Sequence, residues 1–251
     1  MRLPLGALLL CALAAQAQPD TRRSGFADMS PATQAMQRDD GLNPAWLWVK
    51  DGEALWTTAA GRSNKACVSC HGEVSTMRGV AARYPVWDAA LSRALNLGQR
   101  IQQCRTQHQQ ADAWPAEHAQ LLGLEAYVAV QSRGMPIAPS KAPELQPLRE
   151  QGLALFTQRI GQLNLSCAQC HDGLAGGRLA GSVIPQGHPT AYPLYRLEWQ
   201  GLGSLQRRVR NCMTGVRAQA PAYDSQDLLA LELYLKQRAA GMAWEAPGVR
   251  P

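Results

Sequence analysis

"CVSCH" at residues 67–71 returns as "CAQCH" at residues 167–171, one hundred positions later. The echo runs outward on both sides. Upstream, Gly52-Glu53-Ala54-Leu55-Trp56 is matched by Gly152-Leu153-Ala154-Leu155-Phe156, Gly61 by Gly161 and Asn64 by Asn164. Downstream, Tyr84-Pro85 and Tyr192-Pro193 each stand twenty residues before a cysteine, in "RIQQC" ending at Cys104 and "RVRNC" ending at Cys212. Glu125-Ala126-Tyr127 with Gly134-Met135, against Glu232-Leu233-Tyr234 with Gly241-Met242, closes each copy. Internal repetition fixes architecture before any single motif does. The chain therefore divides into two copies of one unit, residues 45–137 and 148–251, joined by the Pro-rich linker 138–147. Each copy is rich in Ala, Leu, Gln and Arg and poor in β-branched runs, and segments 146–158 and 226–240 carry apolar residues at helical spacing, so an all-α fold is expected. Between CxxCH and Tyr-Pro the second copy has eight extra residues, including Gly187-His188-Pro189. Such an insertion either shapes access to a site or is a tolerated surface loop.

The start of the chain is of another kind. Arg2, an apolar run from Leu3 to Ala15 and the small-residue pattern Ala15-Gln16-Ala17 follow the order of a secretory signal peptide, residues 1–17. The run is too short to cross a bilayer. Cleavage after Ala17 removes Cys11 and leaves six cysteines in an exported chain. Residues 18–44 are polar and irregular and read as an N-terminal extension. A formal charge of +6 suits small anions or an acidic protein partner. No long basic run or recognition motif points to nucleic acid, and no later segment reads as transmembrane.

C-x-x-C-H is the attachment signal for c-type haem: two thiols add to the haem vinyl groups and the histidine binds iron. One such motif can also be a redox dithiol or half a zinc site. Two, at equivalent points of a repeat without a βαβ pattern or further paired Cys/His ligands, point to two covalent haems (iron), held by Cys67 and Cys70 with His71, and by Cys167 and Cys170 with His171. The fold expected is thus two tandem cytochrome c-like domains related by duplication, domain 1 at 45–137 and domain 2 at 148–251.

Cys104 and Cys212 are left over. Two spare thiols in an oxidising compartment form a disulfide by default. The repeat favours a different use, since each holds the same place in its own half, 33 residues after His71 and 41 after His171. Equivalent positions face equivalent groups, so each thiol is expected opposite its own haem. Methionine is the competing distal ligand, and Met135 and Met242 also recur in both copies; His108 and His118 do not. If Leu205 to Met213 is helical, Arg208 and Cys212 stand one turn apart on one face. Positive charge there lowers the thiol pKa and holds an anionic reactant against it. Arg207, Arg210 and Arg217 add to the field, although Arg207 and Arg210 fit better as partners of haem propionates or as a solvated face. The window around Cys104 has only Arg100 and Arg105, so Cys212 is expected to react and Cys104 only to ligate.

Two CxxCH sites, a spare cysteine in each half and R-x-x-x-C in the second make the chain resemble the SoxA family, the larger dihaem subunits of the SoxAX cytochromes of bacterial sulfur oxidation. The likeness spans the chain after residue 17 and includes "LNLSCAQCHDG" and "GSVIPQGHPTAYPLYRLEWQGLGSLQRRVRNC". It implies a periplasmic heterodimer with the small haem subunit SoxX and L-cysteine S-thiosulfotransferase activity. In that activity thiosulfate is joined oxidatively to a cysteine of the carrier SoxYZ, and two electrons leave through haem to a downstream cytochrome c acceptor. Carried over, His71 and Cys104 are axial at the first haem and His171 and Cys212 at the second. Arg208 takes the substrate-binding place, and Cys212 that of the cysteine modified to a persulfide. Two other functions stay open: a thiosulfate dehydrogenase making tetrathionate, and an electron-transfer dihaem cytochrome without a substrate. Intact-mass spectrometry of the exported protein is expected to give a chain beginning at Gln18 plus two haem masses; a single haem would defeat the duplicated-site reading.

Overall fold

The computed structural model describes residues 20–179 and 181–251. The expected signal peptide lies outside the described residues. In each half a helix before CxxCH crosses the last helix of the same half: α2 (Ala45–Thr57) crosses α5 (Ala119–Val130), and α6 (Gln146–Thr157) crosses α8 (Gln226–Arg238). Both crossings need glycine. A Cβ on Gly52 would overlap the Gly123 carbonyl, and one on Gly152 the Ala230 carbonyl. The repeated "GEALW" and "GLALF" are therefore packing signatures: the glycine admits the partner backbone, and Trp56 or Phe156 four residues on fills the core, at 5% and 1% exposure.

Between these helices run the short α3 (Val68–His71) and α4 (Leu97–Gln103) in the first half, and α7 (Leu205–Gly215) in the second. The caps are legible: Asn96 forms a capping box with Gln99, and the Ser204 and Ser225 hydroxyls accept from Arg207 and Leu228. The helices expected over 146–158, 205–213 and 226–240 are present as α6, α7 and α8. The linker region carries a 3₁₀ turn, Pro143–Leu145, directly before α6.

One expectation needs correction. The N-terminal extension is not irregular throughout: Ser30 caps α1 (Pro31–Arg38), with proline in its first turn. The fold is helix-rich as expected, and its few strands are short. Strands β1 (Val86–Asp88) and β2 (Arg93–Leu95) form a hairpin, as do β3 (Arg178–Leu179) and β4 (Ser182–Val183). A three-stranded sheet is built from β5 (Leu194–Arg196), β6 (Gly201–Gly203) and β7 (Gly248–Arg250) in the order β6-β5-β7. Strands of two or three residues are too short to show alternation.

The hairpins join the halves. Trp87 and Ala94 of β1–β2 pack on Leu145 of the linker and on Leu148, Leu229 and Leu233 of the second half. Reciprocally, Tyr195 and Leu202 of β5–β6 pack on Ala45, Val49 and Leu122 of the first. At the same seam the repeated Gly-Met segments pair with each other: Ile137 N–H donates to the Met242 carbonyl at 2.8 Å, and Gly134 N–H to the Trp244 carbonyl at 2.8 Å.

Two duplicated glutamates meet there as well. Glu125 and Glu232 line a cavity of about 60 Å³ with Lys236. Asn96 Nδ2 and Gln206 Nε2 both donate to Glu232 Oε2, at 3.1 and 3.3 Å, so one carboxylate grips the first turns of α4 and α7. Burial, and then the charge of Glu232, push the Glu125 carboxyl up to about 8. The native state keeps that proton over a range where the unfolded chain has lost it, so the contribution of Glu125 to stability falls as pH rises from the usual carboxylate range to about 8 and is constant above. Denaturant titrations of native protein and Glu125→Gln should show a shallower fall over this range in the variant, which gains roughly 2 kcal/mol at alkaline pH after discounting for residual solvent access.

Candidate functional site

Two left-handed turns decide where the spare cysteines go. Gly61 and Gly161 have φ of +64° and +69°, and Asn64 and Asn164 +47° and +50°, conformations that glycine and asparagine tolerate best. Bridges from Ala60 to Lys65 and from Ile160 to Leu165 close the turns. A Cβ on Gly61 would overlap the Gln109 carbonyl, and one on Gly161 the Val216 carbonyl. Ser63 N–H donates to Gln109 at 3.1 Å and Leu163 N–H to Val216 at 3.3 Å. The segment after each spare cysteine is thereby fixed to the turn leading into CxxCH.

In the second half the result is a thiol facing an imidazole. His171 lies in a π-helical turn, Gln169–Gly173. Its Nδ1 is 2.7 Å from the Pro185 carbonyl oxygen. With Nδ1–H donating there, the other ring nitrogen is free to face Cys212, whose thiol lies beside the ring and interacts with it. Burial works against the His171 cation, but the bonds to Cys212 and Pro185 prevail and hold the ring above its ordinary value. Burial likewise pushes the Cys212 thiol up; the His171 bond and the charges of Arg208 and Arg196 outweigh it and set the thiol below its ordinary value. Cys167 lies close by, pushed up to about 11 by burial and then by Cys212.

The first half repeats the plan with other electrostatics. Cys104 opens a π-helical turn, Cys104–His108, at the end of α4 and lies beside Cys67 and Cys70. Burial, and the nearby Cys70, keep its thiol high despite Arg100. Arg100 is consumed by neighbours: its Nη2 is 2.6 Å from Asp88 Oδ2, Nη1 donates to Gln103 Oε1 at 2.6 Å and Nε to the Tyr84 hydroxyl at 3.3 Å. Arg208, one turn before Cys212, has no carboxylate within ion-pair distance among the described residues. Arg207 lies over the Trp199 ring at 4.2 Å and Arg210 over Tyr223 at 4.4 Å.

All six cysteines of the described chain are free thiols, and Cys104 and Cys212 sit in different halves, so the disulfide alternative is not realised. Met135 and Met242 belong to the seam between the halves.

A sequence model described as the SoxA/TsdA cytochrome c domain matches residues 51–137 and again 151–244. The chain belongs to this family. Among its SoxA relatives, the L-cysteine S-thiosulfotransferase subunit SoxA of Pseudaminobacter salicylatoxidans is 35% identical, over 92% of this chain and 82% of its own. The subunit of the same name from Rhodovulum sulfidophilum is 33% identical, over 92% and 81%. The crystal structure of SoxXA from P. pantotrophus superposes with a TM-score of 0.89 at 31% identity, covering 92% of this chain and 88% of that one.

A cytochrome c domain carries haem through thioether bonds, and the donor set here fits one in each half. In the second half Cys167, His171 and Cys212 lie together, and in the first Cys104 lies beside Cys67 and Cys70, while no group of three or more His, Cys, Asp or Glu among the described residues is placed to hold a bare metal ion. The sequence reading did not see Pro185 and Gly187 as part of the site. The signal for them is the insertion itself, which supplies the carbonyl on His171 Nδ1 and lays Gly187, at φ +75°, against the ring. A Cβ on Gly187 would come within 3.2 Å of His171 Cγ in a conformation L residues resist. Gly187→Ala is expected to perturb the absorption and paramagnetic-resonance signature of the second haem and leave that of the first unchanged.

Proposed function

We propose that the chain is the large, dihaem subunit of a periplasmic L-cysteine S-thiosulfotransferase, paired with a small haem subunit of the SoxX kind and acting on thiosulfate and a cysteine of a SoxYZ-type carrier. Electrons leave to a downstream cytochrome c. The observation that carries this reading is the Arg208 guanidinium, with no carboxylate at ion-pair distance among the described residues, one turn from a Cys212 thiol that lies beside His171. The relatives' shared name and the SoxXA superposition support it further. In this reading His71 with Cys104 and His171 with Cys212 would hold the two irons, and Cys67, Cys70, Cys167 and Cys170 would carry the thioether bonds. No helix among the described residues is long and apolar enough to cross a membrane, which accords with work in an aqueous compartment.

The chemistry follows from charge and electron count. Joining the outer sulfur of thiosulfate to a carrier thiol makes a sulfur–sulfur bond, releases the thiol proton and sets two electrons free. Haem, when bound, supplies an acceptor that takes electrons singly. Arg208 binds the sulfonate end with a planar fork of donors. That contact points the outer sulfur at Cys212. A depressed thiol is a better nucleophile at neutral pH, and Cys212 holds the transferred group until the carrier thiolate displaces it. Pro185, through His171 Nδ1, keeps the imidazole in one tautomer and orientation.

Assays of thiosulfate-dependent electron release, with and without carrier protein, test the proposal. Turnover should require the carrier, fall about 100-fold or more in Arg208→Gln as a charged contact is lost, and vanish in Cys212→Ala. Tetrathionate formed by the native protein alone would instead identify a thiosulfate dehydrogenase; turnover untouched by either substitution would leave an electron carrier.

A further inference from the structure

Residues 84–104 and 192–212 correspond one to one, without a gap. The backbone keeps the same register. The pair Asp88↔Arg93 in β1–β2 matches Arg196↔Gly201 in β5–β6. Ser92 and Gln200 turn the two hairpins at φ of +48° and +47°, and Asn96 and Ser204 cap the two helices that follow. Arg100 and Arg208 then stand one turn before their cysteines.

Within this register one position reverses its charge. The residue ending the first strand of each hairpin is Asp88 in one half and Arg196 in the other. In the first half the side chain from that position reaches the helix arginine, as the 2.6 Å contact of Asp88 with Arg100 shows. The same strand position in the second half brings a guanidinium towards Arg208. Two cations thus occupy the place where the other half holds an ion pair.

We propose that Arg196 and Arg208 form a two-arginine clamp for a small dianion, with Arg196 the second substrate-binding residue of the thiosulfate site. The surroundings leave Arg196 available for it. Its recorded carboxylate partner is Glu198, 2.9 Å from Nη2, which is 58% exposed; an ion pair with so solvated a carboxylate neutralises little. Nε is buried without a partner, and the guanidinium lies over the Trp199 ring at 5.2 Å. Glu245, which pairs with Arg250 on the neighbouring strand at 3.1 Å, is also engaged by the Ser24 and Thr190 hydroxyls. Burial, then the charge of Arg208, disfavour the Arg196 cation. A half-buried cation with a buried, unfilled donor is costly until an anion meets it. A dianion with three sulfonate oxygens can accept from two forks at once.

The clamp also accounts for the unequal halves. Asp88 neutralises Arg100 and presents its own negative charge where a substrate anion would have to sit, so the first half is closed to thiosulfate.

The inference rests on thiosulfate being the substrate, and binding without turnover keeps the two claims apart. Inorganic thiosulfate is titrated into the oxidised, haem-loaded full chain in the absence of carrier, and binding is followed by calorimetry and by the absorption of the second haem. We expect Arg196→Gln to bind about 10- to 100-fold more weakly than native, the loss of one charge-assisted contact. Arg196→Lys should fall between the two, and Arg196→Asp, which installs the residue of the first half, should bind no better than Arg196→Gln. Haem content and the resting spectrum check that each variant has folded; if Arg196→Gln does not load haem, the comparison of Arg196→Lys with native decides. Affinity within twofold of native in the decisive variant, with Arg208→Gln impaired, overturns the clamp and leaves the proposed function standing. Native protein that binds no thiosulfate overturns both.

Discussion

The structure depends on a steric constraint at Gly61 and Gly161. Each glycine lies so close to the backbone that follows the spare cysteine that no side chain could be interposed. The left-handed turn and the CxxCH segment after it are one piece of backbone, and the cysteine helix is joined to that piece as well as to the body of the domain. A thiol more than thirty residues distant in sequence is therefore held close to the CxxCH motif by main-chain geometry, which side-chain drift does not easily erode. Both halves inherit this frame. What differs between them is charge: a carboxylate close to the arginine of one half, a guanidinium on the corresponding strand of the other.

Duplication also shapes the seam. Each half lends a hairpin to the other, the Gly-Met segments pair across the junction, and two copies of one glutamate are brought face to face. Copies that were each stable alone would have no reason to bury like charges together. The second half carries the compensation, since Lys236 occupies the position of Ala129 in the first and is buried at 4% exposure, with Nζ donating to the Pro189 carbonyl at 3.3 Å and lying over the Trp244 ring at 3.7 Å. Burial lowers its pKa to about 7, against the pull of Glu232 and Glu125. One carboxylate, Glu232, then serves both cysteine helices through Asn96 and Gln206, so the two centres share a support although they share no ligand.

Much of this was legible in the residues. The repeat located the two halves, the CxxCH motifs and the equivalent cysteines, and the Arg208–Cys212 spacing held because Ser204 starts α7 where the pattern required. The repeated glycines were visible but their purpose was not: Gly52 and Gly152 admit a crossing helix, whereas Gly61 and Gly161 admit a loop, and sequence position alone does not separate those uses. The short strands escaped because three residues carry no measurable period. Asp88 and Arg196 escaped for another reason. Matching identical residues finds a repeat, but a place where the copies disagree draws no notice until a contact such as Asp88 with Arg100 shows what that place does.

The extension before α2 binds mainly to the far half. Arg22 donates to the carbonyls of Arg238 and Ala240 at 3.0 and 2.9 Å, Arg23 N–H donates to Gln186 Oε1 at 2.7 Å, and Gln37 Oε1 accepts from Val249 N–H at 2.9 Å. The loop so fastened is the one that bears Pro185 and Gly187. A segment that precedes the first centre in sequence thus finishes the wall of the second, and that wall is whole only when both parts of the chain are in place. Loss of residues 20–37 would accordingly loosen the second centre and leave the number of haem attachment sites unchanged.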